Sequence, residues 1–100
     1  MKKYYVYILS GQDYGPLFIE TTSNLSGRMK SHRFGHLSQS AFRIDRLVYF
    51  ETFDTSLDAQ LRLKALRSAS REWVDALVER KNPNWTDIFK TDDQAPRRVA

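Results

Sequence analysis

The stretch Tyr4-Tyr5-Val6-Tyr7-Ile8-Leu9, followed by Leu17-Phe18-Ile19-Glu20 and then by the basic segment Asn24 to Arg33, decides how the chain is read. The first two pieces are short, aromatic and β-branched, as strands are. The segment between them, Gly11 to Pro16, supplies turn residues, and Pro16 pre-sets φ where the second strand begins, so the pair reads as a β-hairpin. Strand one, about Lys3 to Ser10, places Tyr5, Tyr7 and Leu9 on one side and Tyr4, Val6 and Ile8 on the other. Both sides are apolar, which predicts a central strand covered on two faces. Strand two, about Leu17 to Thr21, puts Phe18 and Glu20 on one side. A helix over about Asn24 to Phe34 follows, capped by Thr22, Ser23 or Asn24, burying Leu25 and Met29 and ended by Gly35. Gly27 inside it costs about 1 kcal/mol relative to alanine, and a close approach of chain or ligand would explain it.

Beyond a polar loop from Phe34 to Ile44, a third strand is predicted over Arg46 to Phe53. Thr55-Ser56-Leu57-Asp58 reads as a capping box that opens a second helix, running to about Arg67. That helix has two apolar stripes, Leu57-Leu61-Ala65 and Ala59-Leu63-Leu66. Ser70 caps a third helix to about Arg80, with Trp73, Val74, Ala76, Leu77 and Val78 as its buried side, and Pro83 stops it. Trp85 and Phe89 are expected to pack on the core. The fold class is α+β: a three-stranded, mainly antiparallel sheet flanked by three helices, in the order β-β-α-β-α-α. One domain spans residues 1–90, and residues 91–100 read as a flexible C-terminal tail.

A chain of 100 residues with 41% hydrophobic residues suffices for one core, and the lack of cysteine excludes a disulfide framework or a thiolate zinc site. No apolar run approaches the length of a membrane span, and Met1-Lys2-Lys3 runs straight into a strand with no cleavage site, so a cytoplasmic location without membrane association is expected. The net charge of +4 is mildly basic. Its distribution is more informative, because Thr21 to Ile44 contains no Asp or Glu while holding Arg28, Lys30, Arg33, Arg43 and both histidines. Such a face is either solvated or turned to phosphates. His32 lies four residues after Arg28, hence on the same side of the first helix, where an imidazole can handle protons.

In this order, Tyr-Val-Tyr, then Phe-Ile-Glu, then Arg28 and His32, the chain resembles the GIY-YIG nuclease family, especially its small stand-alone bacterial members. Arg46-Leu47-Val48-Tyr49-Phe50-Glu51 and Asn82-Pro83-Asn84-Trp85 extend the resemblance over most of the sequence. The resemblance implies phosphodiester hydrolysis with one divalent metal, Mg or Mn, held by a glutamate on the second helix. It implies catalytic roles for a strand tyrosine at Tyr7, the arginine at Arg28, a second aromatic at Phe18, and a histidine at His32. Nucleic acid, with DNA as the expected substrate, would lie along Arg28, Lys30, Arg33 and Arg43.

Three positions depart from that pattern. Phe18 keeps the ring of the second motif tyrosine and lacks its hydroxyl. Glu20 replaces a glycine with a carboxylate that repels phosphate unless a cation lies between them. Leu63 occupies the metal-ligand glutamate position, and magnesium takes oxygen ligands. Three functional readings follow: a nucleic-acid-binding domain with weak or lost hydrolysis, an active endonuclease whose metal has moved to Glu20, and a protein-interaction module with an exposed apolar patch around Tyr4, Tyr14 and the Leu63 stripe. Glu51 reads as a surface charge and Asp58 as part of a cap.

Overall fold

Three strands form the sheet: β1 (Tyr4–Ser10), β2 (Phe18–Thr22) and β3 (Arg46–Phe53). The computed structural model describes residues 2–11, 15–33 and 46–89, and for His32 and Arg33 it describes the backbone alone. The apolar character of β1 on both faces makes it the middle strand, in the order β2-β1-β3, with both neighbours antiparallel. Helices α1 (Leu25–Arg33), α2 (Ser56–Ser68) and α3 (Arg71–Lys81) complete the order β-β-α-β-α-α read from the sequence. Residues 1, 12–14, 34–45, among them Arg43, and 90–100 lie outside the described residues, and with them the predicted hairpin turn, polar loop and C-terminal tail.

Register sorts the side chains. Tyr7 pairs with Glu20 and Phe50, and Leu9 with Phe18, so these five share one face; Val6 pairs with Thr21 and Glu51, and Ile8 with Ile19 and Tyr49, on the other. The first face packs beneath α1, where Tyr7, Leu9, Met29, Leu47 and Phe89 form a buried cluster joined by Phe18 and Leu25. The second face lies beneath α2 and α3, in two clusters built on Ile8, Val48, Tyr49, Val74, Val78 and Trp85, and on Val6, Ala59 and Leu66. A register shift between Ile8 and Leu9 gives β3 an extra residue there, so that Val48 joins the α3 side.

Helix ends follow the sequence closely. Asn24 is the N-cap of α1: its Oδ1 accepts from Gly27 N at 3.0 Å, and its carbonyl accepts from Arg28 N. A Cβ at Gly27 would stand 2.5 Å from Asn24 Nδ2, so this glycine makes room for the cap. Thr55 Oγ1 accepts from Asp58 N and Ser70 Oγ from Trp73 N, capping α2 and α3 as expected. At the far end of α3, Asn82 is the C-cap, and its side chain donates to Val48 O and Thr86 O while accepting from Thr86 N, tying the segment after the helix to β3. Ile88 N then donates to Leu47 O, carrying Trp85 and Phe89 into the core.

Two expectations of burial are corrected. Of the two stripes on α2 only Ala59, Leu63 and Leu66 is buried; Leu57 and Leu61 are 65% and 58% exposed, because a helix lying on a sheet covers one stripe and turns the other to solvent. On α3, Val74 and Val78 face the sheet and Leu77 is partly buried, whereas Ala76 is exposed and Trp73 is 47% exposed. Trp73 stands one residue before the buried stripe, and its ring lies outside, with the Arg62 guanidinium 5.8 Å from its centroid.

Candidate functional site

Because Tyr7, Phe18 and Glu20 share a sheet face, and α1 crosses that face with Met29 inward, the structure gathers Tyr7, Phe18, Glu20 and Arg28 in one region. Tyr7 is fully buried, with its ring centroid 6.2 Å from that of Phe18 and the planes tilted by 48°. Burial pushes its hydroxyl up to about 12; the positive charge of Arg28 pulls the other way, and the negative charge of Glu20 adds to the rise. A phenol of that acidity is ionised in only about one molecule in 10⁵ at neutral pH. Arg28 is half-buried on the helix, and Lys30 is exposed two residues on. His32 follows Arg28 by one turn of the α1 backbone; its side chain and those of Arg33 and Arg43 lie outside the described residues.

Glu20 is engaged by two partners. Its Oε1 accepts from Thr21 N at 3.1 Å, and its Oε2 accepts from Arg67 Nη2 at 3.0 Å. Arg67 also donates to Ile19 O from Nε and Nη2, at 3.2 and 2.8 Å, so one guanidinium from α2 holds both the carbonyl edge and the carboxylate of β2. Nothing in the local sequence announced that contact. It spans 47 residues and depends on where α2 lands beside the sheet edge.

The described residues do not fit a resident divalent metal. Among the described residues no group of three His, Cys, Asp or Glu side chains is placed to share a cation. Leu63, at the position where the resemblance implies the ligand, is buried in the α2 stripe between Ala59 and Leu66. That stripe packs toward Val6, on the face opposite Tyr7.

Glu51, expected to be a surface charge, is instead a partly buried anchor. Arg62 binds it with two parallel bonds, Nε to Oε1 at 2.8 Å and Nη2 to Oε2 at 2.9 Å, and Tyr49 donates its hydroxyl to Oε2. Burial alone would push its carboxyl up, but the bonds from Arg62 and Tyr49 outweigh burial and hold it below the ordinary carboxylate range. The Tyr49 hydroxyl is pushed up to about 12, by burial first and then by its bond to Glu51. This triad ties α2 to β3 and leaves no free carboxylate there. It has the character of a structural pin.

No family model matches the chain, and no curated protein matches it. Among solved structures, it is similar to the UPF0213 protein BH0048 from Bacillus halodurans, determined in solution by NMR. The two chains are 26% identical with a TM-score of 0.55, and the match covers 88% of this chain and 95% of the other. No described helix is long and apolar enough to cross a membrane.

Proposed function

We propose that this protein is a GIY-YIG-like domain that binds the phosphate backbone of nucleic acid, with DNA as the expected partner, and that it hydrolyses phosphodiesters weakly or not at all. The observation that carries the reading is the docking of α1 on the hairpin: Met29 packs on Tyr7, and the charge of Arg28 bears on the Tyr7 hydroxyl. The likeness to the Bacillus halodurans protein over most of the chain supports the same reading.

In this mechanism Arg28 and Lys30 hold phosphate oxygens from the acid-free segment, with His32 and Arg33 further along the helix and Arg43 after it. Tyr7 stays protonated and supports α1 from beneath. Glu20 opposes an approaching phosphate, and Arg67 neutralises much of that opposition. Phe18 brings a ring without a hydroxyl, Leu63 brings a hydrocarbon where an oxygen ligand is needed, and no step through a metal is assigned. The third reading is weaker than the sequence alone made it, because Leu63 is buried and cannot belong to an exposed patch.

A gel-shift titration at about 50 and 200 mM salt tests the binding half. Affinity should fall with salt, and Arg28→Ala with Lys30→Ala should lower the slope of log K against log salt by about 1.8 on duplex DNA. Affinity indifferent to salt would rule out phosphate binding. Incubating nicked, branched and single-stranded DNA with Mg²⁺ or Mn²⁺ tests the other half: the expected turnover is no higher than that of the Arg28→Ala variant. Efficient cleavage that EDTA abolishes would show that the scaffold kept its chemistry.

A further inference from the structure

The edge of β2 and the corner between α2 and α3 enclose a groove of about 400 Å³ that none of the residues considered so far explains. Its apolar floor is lined by Leu17, Ile19, Leu66, Ala69 and Val74, side chains of the α2/α3 face, and Arg67 and Arg71 bring two guanidiniums to it. We infer that this groove holds one unpaired nucleotide of a single-stranded or frayed nucleic acid, with the base on the apolar floor and its phosphate on Arg67 and Arg71. The inference rests on the nucleic-acid reading above and adds to it the form of the substrate.

Each arginine is anchored to backbone: Arg67 by two hydrogen bonds to Ile19 O, and Arg71 by Nη1 to Gly15 O at 3.0 Å. Anchored donors lose little freedom when an anion arrives. Arg67 Nη1 and Arg71 Nη2 make no hydrogen bond among the described residues, so each fork keeps a donor for a phosphate oxygen. Two carboxylates compete, Glu20 on Arg67 and Asp75 on Arg71. Both pairs are partly exposed, and pairs of that kind contribute little, so a phosphate bridging two guanidiniums displaces them readily. The apolar part of the lining is the selective element. A base in a duplex is stacked on its neighbours and cannot reach it, whereas an unpaired base can lie on it. Strand β2 borders both the groove and the Tyr7 region, so a strand with a phosphate near Arg28 can cross the β2 edge and place its next unit here.

The test is fluorescence anisotropy with a short labelled oligothymidylate and a blunt duplex of the same length, against wild type, Arg67→Gln with Arg71→Gln, Ala69→Phe to fill the groove without touching charge, and Arg28→Ala with Lys30→Ala. Wild type should bind the single strand about tenfold tighter than the duplex. The double glutamine variant should lose about tenfold on the single strand, with the salt slope reduced by about 1.4, and Ala69→Phe should lose affinity with the slope unchanged. If the groove variants bind like wild type while Arg28→Ala with Lys30→Ala weakens, the groove is overturned and the phosphate reading stands; if all bind like wild type, both fail. Equal displacement of the oligonucleotide by oligoglutamate also overturns the groove, because it would then select only charge. Should a variant not fold, amide shifts of the wild-type protein on addition of thymidine 5′-monophosphate decide: movement of Leu17 to Ile19 and Ala69 to Arg71 supports the assignment, and movement confined elsewhere overturns it.

Discussion

The two faces of the sheet are built for different purposes. Beneath α2 and α3 the contact is long and redundant: both helices have side-chain N-caps, two clusters are packed, and the Tyr49–Glu51–Arg62 triad pins α2 to β3. On the other face a single helix of nine residues, α1, capped by Asn24, rests on Met29 and Leu25, with Arg28 half-buried and Lys30 exposed. Packing is concentrated beneath α2 and α3, and the acid-free basic segment lies on the α1 side. The metal-ligand position that the resemblance implies falls on α2, the helix that here is committed to packing. A leucine at position 63 completes that commitment.

The contrast can be broken by mutating one residue on each face. Leu66→Ala should cost about 3 kcal/mol and Met29→Ala about 2, by urea denaturation. If the order is reversed, the α1 side is no lightly held binding helix. Next in size, Arg62→Ala should cost about 2 kcal/mol at neutral pH, since it leaves the Glu51 carboxylate partly buried without its main partner. The sign of its pH dependence follows from the depressed Glu51 pKa. The triad contributes above the unfolded carboxylate value of about 4.3 and loses its contribution as pH falls through the lower folded value, so the gap between wild type and variant should close in acid. A gap that widens in acid would mean that Arg62 acts through Trp73 and not through Glu51.

A smaller effect sharpens the account of α1. Asn24→Ala should cost about 1 kcal/mol, as loss of an N-cap does. Gly27→Ala should bring no gain in wild type, where the new methyl meets the Asn24 amide, yet stabilise the Asn24→Ala background by about 1 kcal/mol. Additive effects of the two changes would remove the cap as the reason for the glycine. The smallest effect belongs to the outer stripe of α2: Leu61→Gln should shift stability by less than about 0.5 kcal/mol. A larger loss would mean that this stripe is covered in solution.

Much of the fold was legible because its signals are local. The alternation in Tyr4 to Leu9 marks a strand that is apolar on both sides, and Thr55, Ser70 and Pro83 punctuate the helices at positions the chain itself supplies. The stripes on α2 were visible as a pair, but which one is buried is a question of where the helix sits, and no local pattern separates Leu61 from Leu63. Glu51 illustrates the same boundary, since an isolated glutamate on a strand looks like a surface charge until Arg62 arrives from another element. Arg67 and Arg71 went unread as site residues for the same reason: their partners, Ile19, Glu20 and Gly15, stand far away in the chain.

Sequence alone therefore determined the elements, their order, the central place of β1 and the acid-free basic segment, because periodicity, capping and charge are properties of neighbouring residues. Only the tertiary structure decided which stripe of α2 is buried, that Glu20 is held by Arg67, and that two arginines overhang an apolar groove beside β2. Each of these depends on contacts between elements separated by dozens of residues, and packing, not local preference, chooses them.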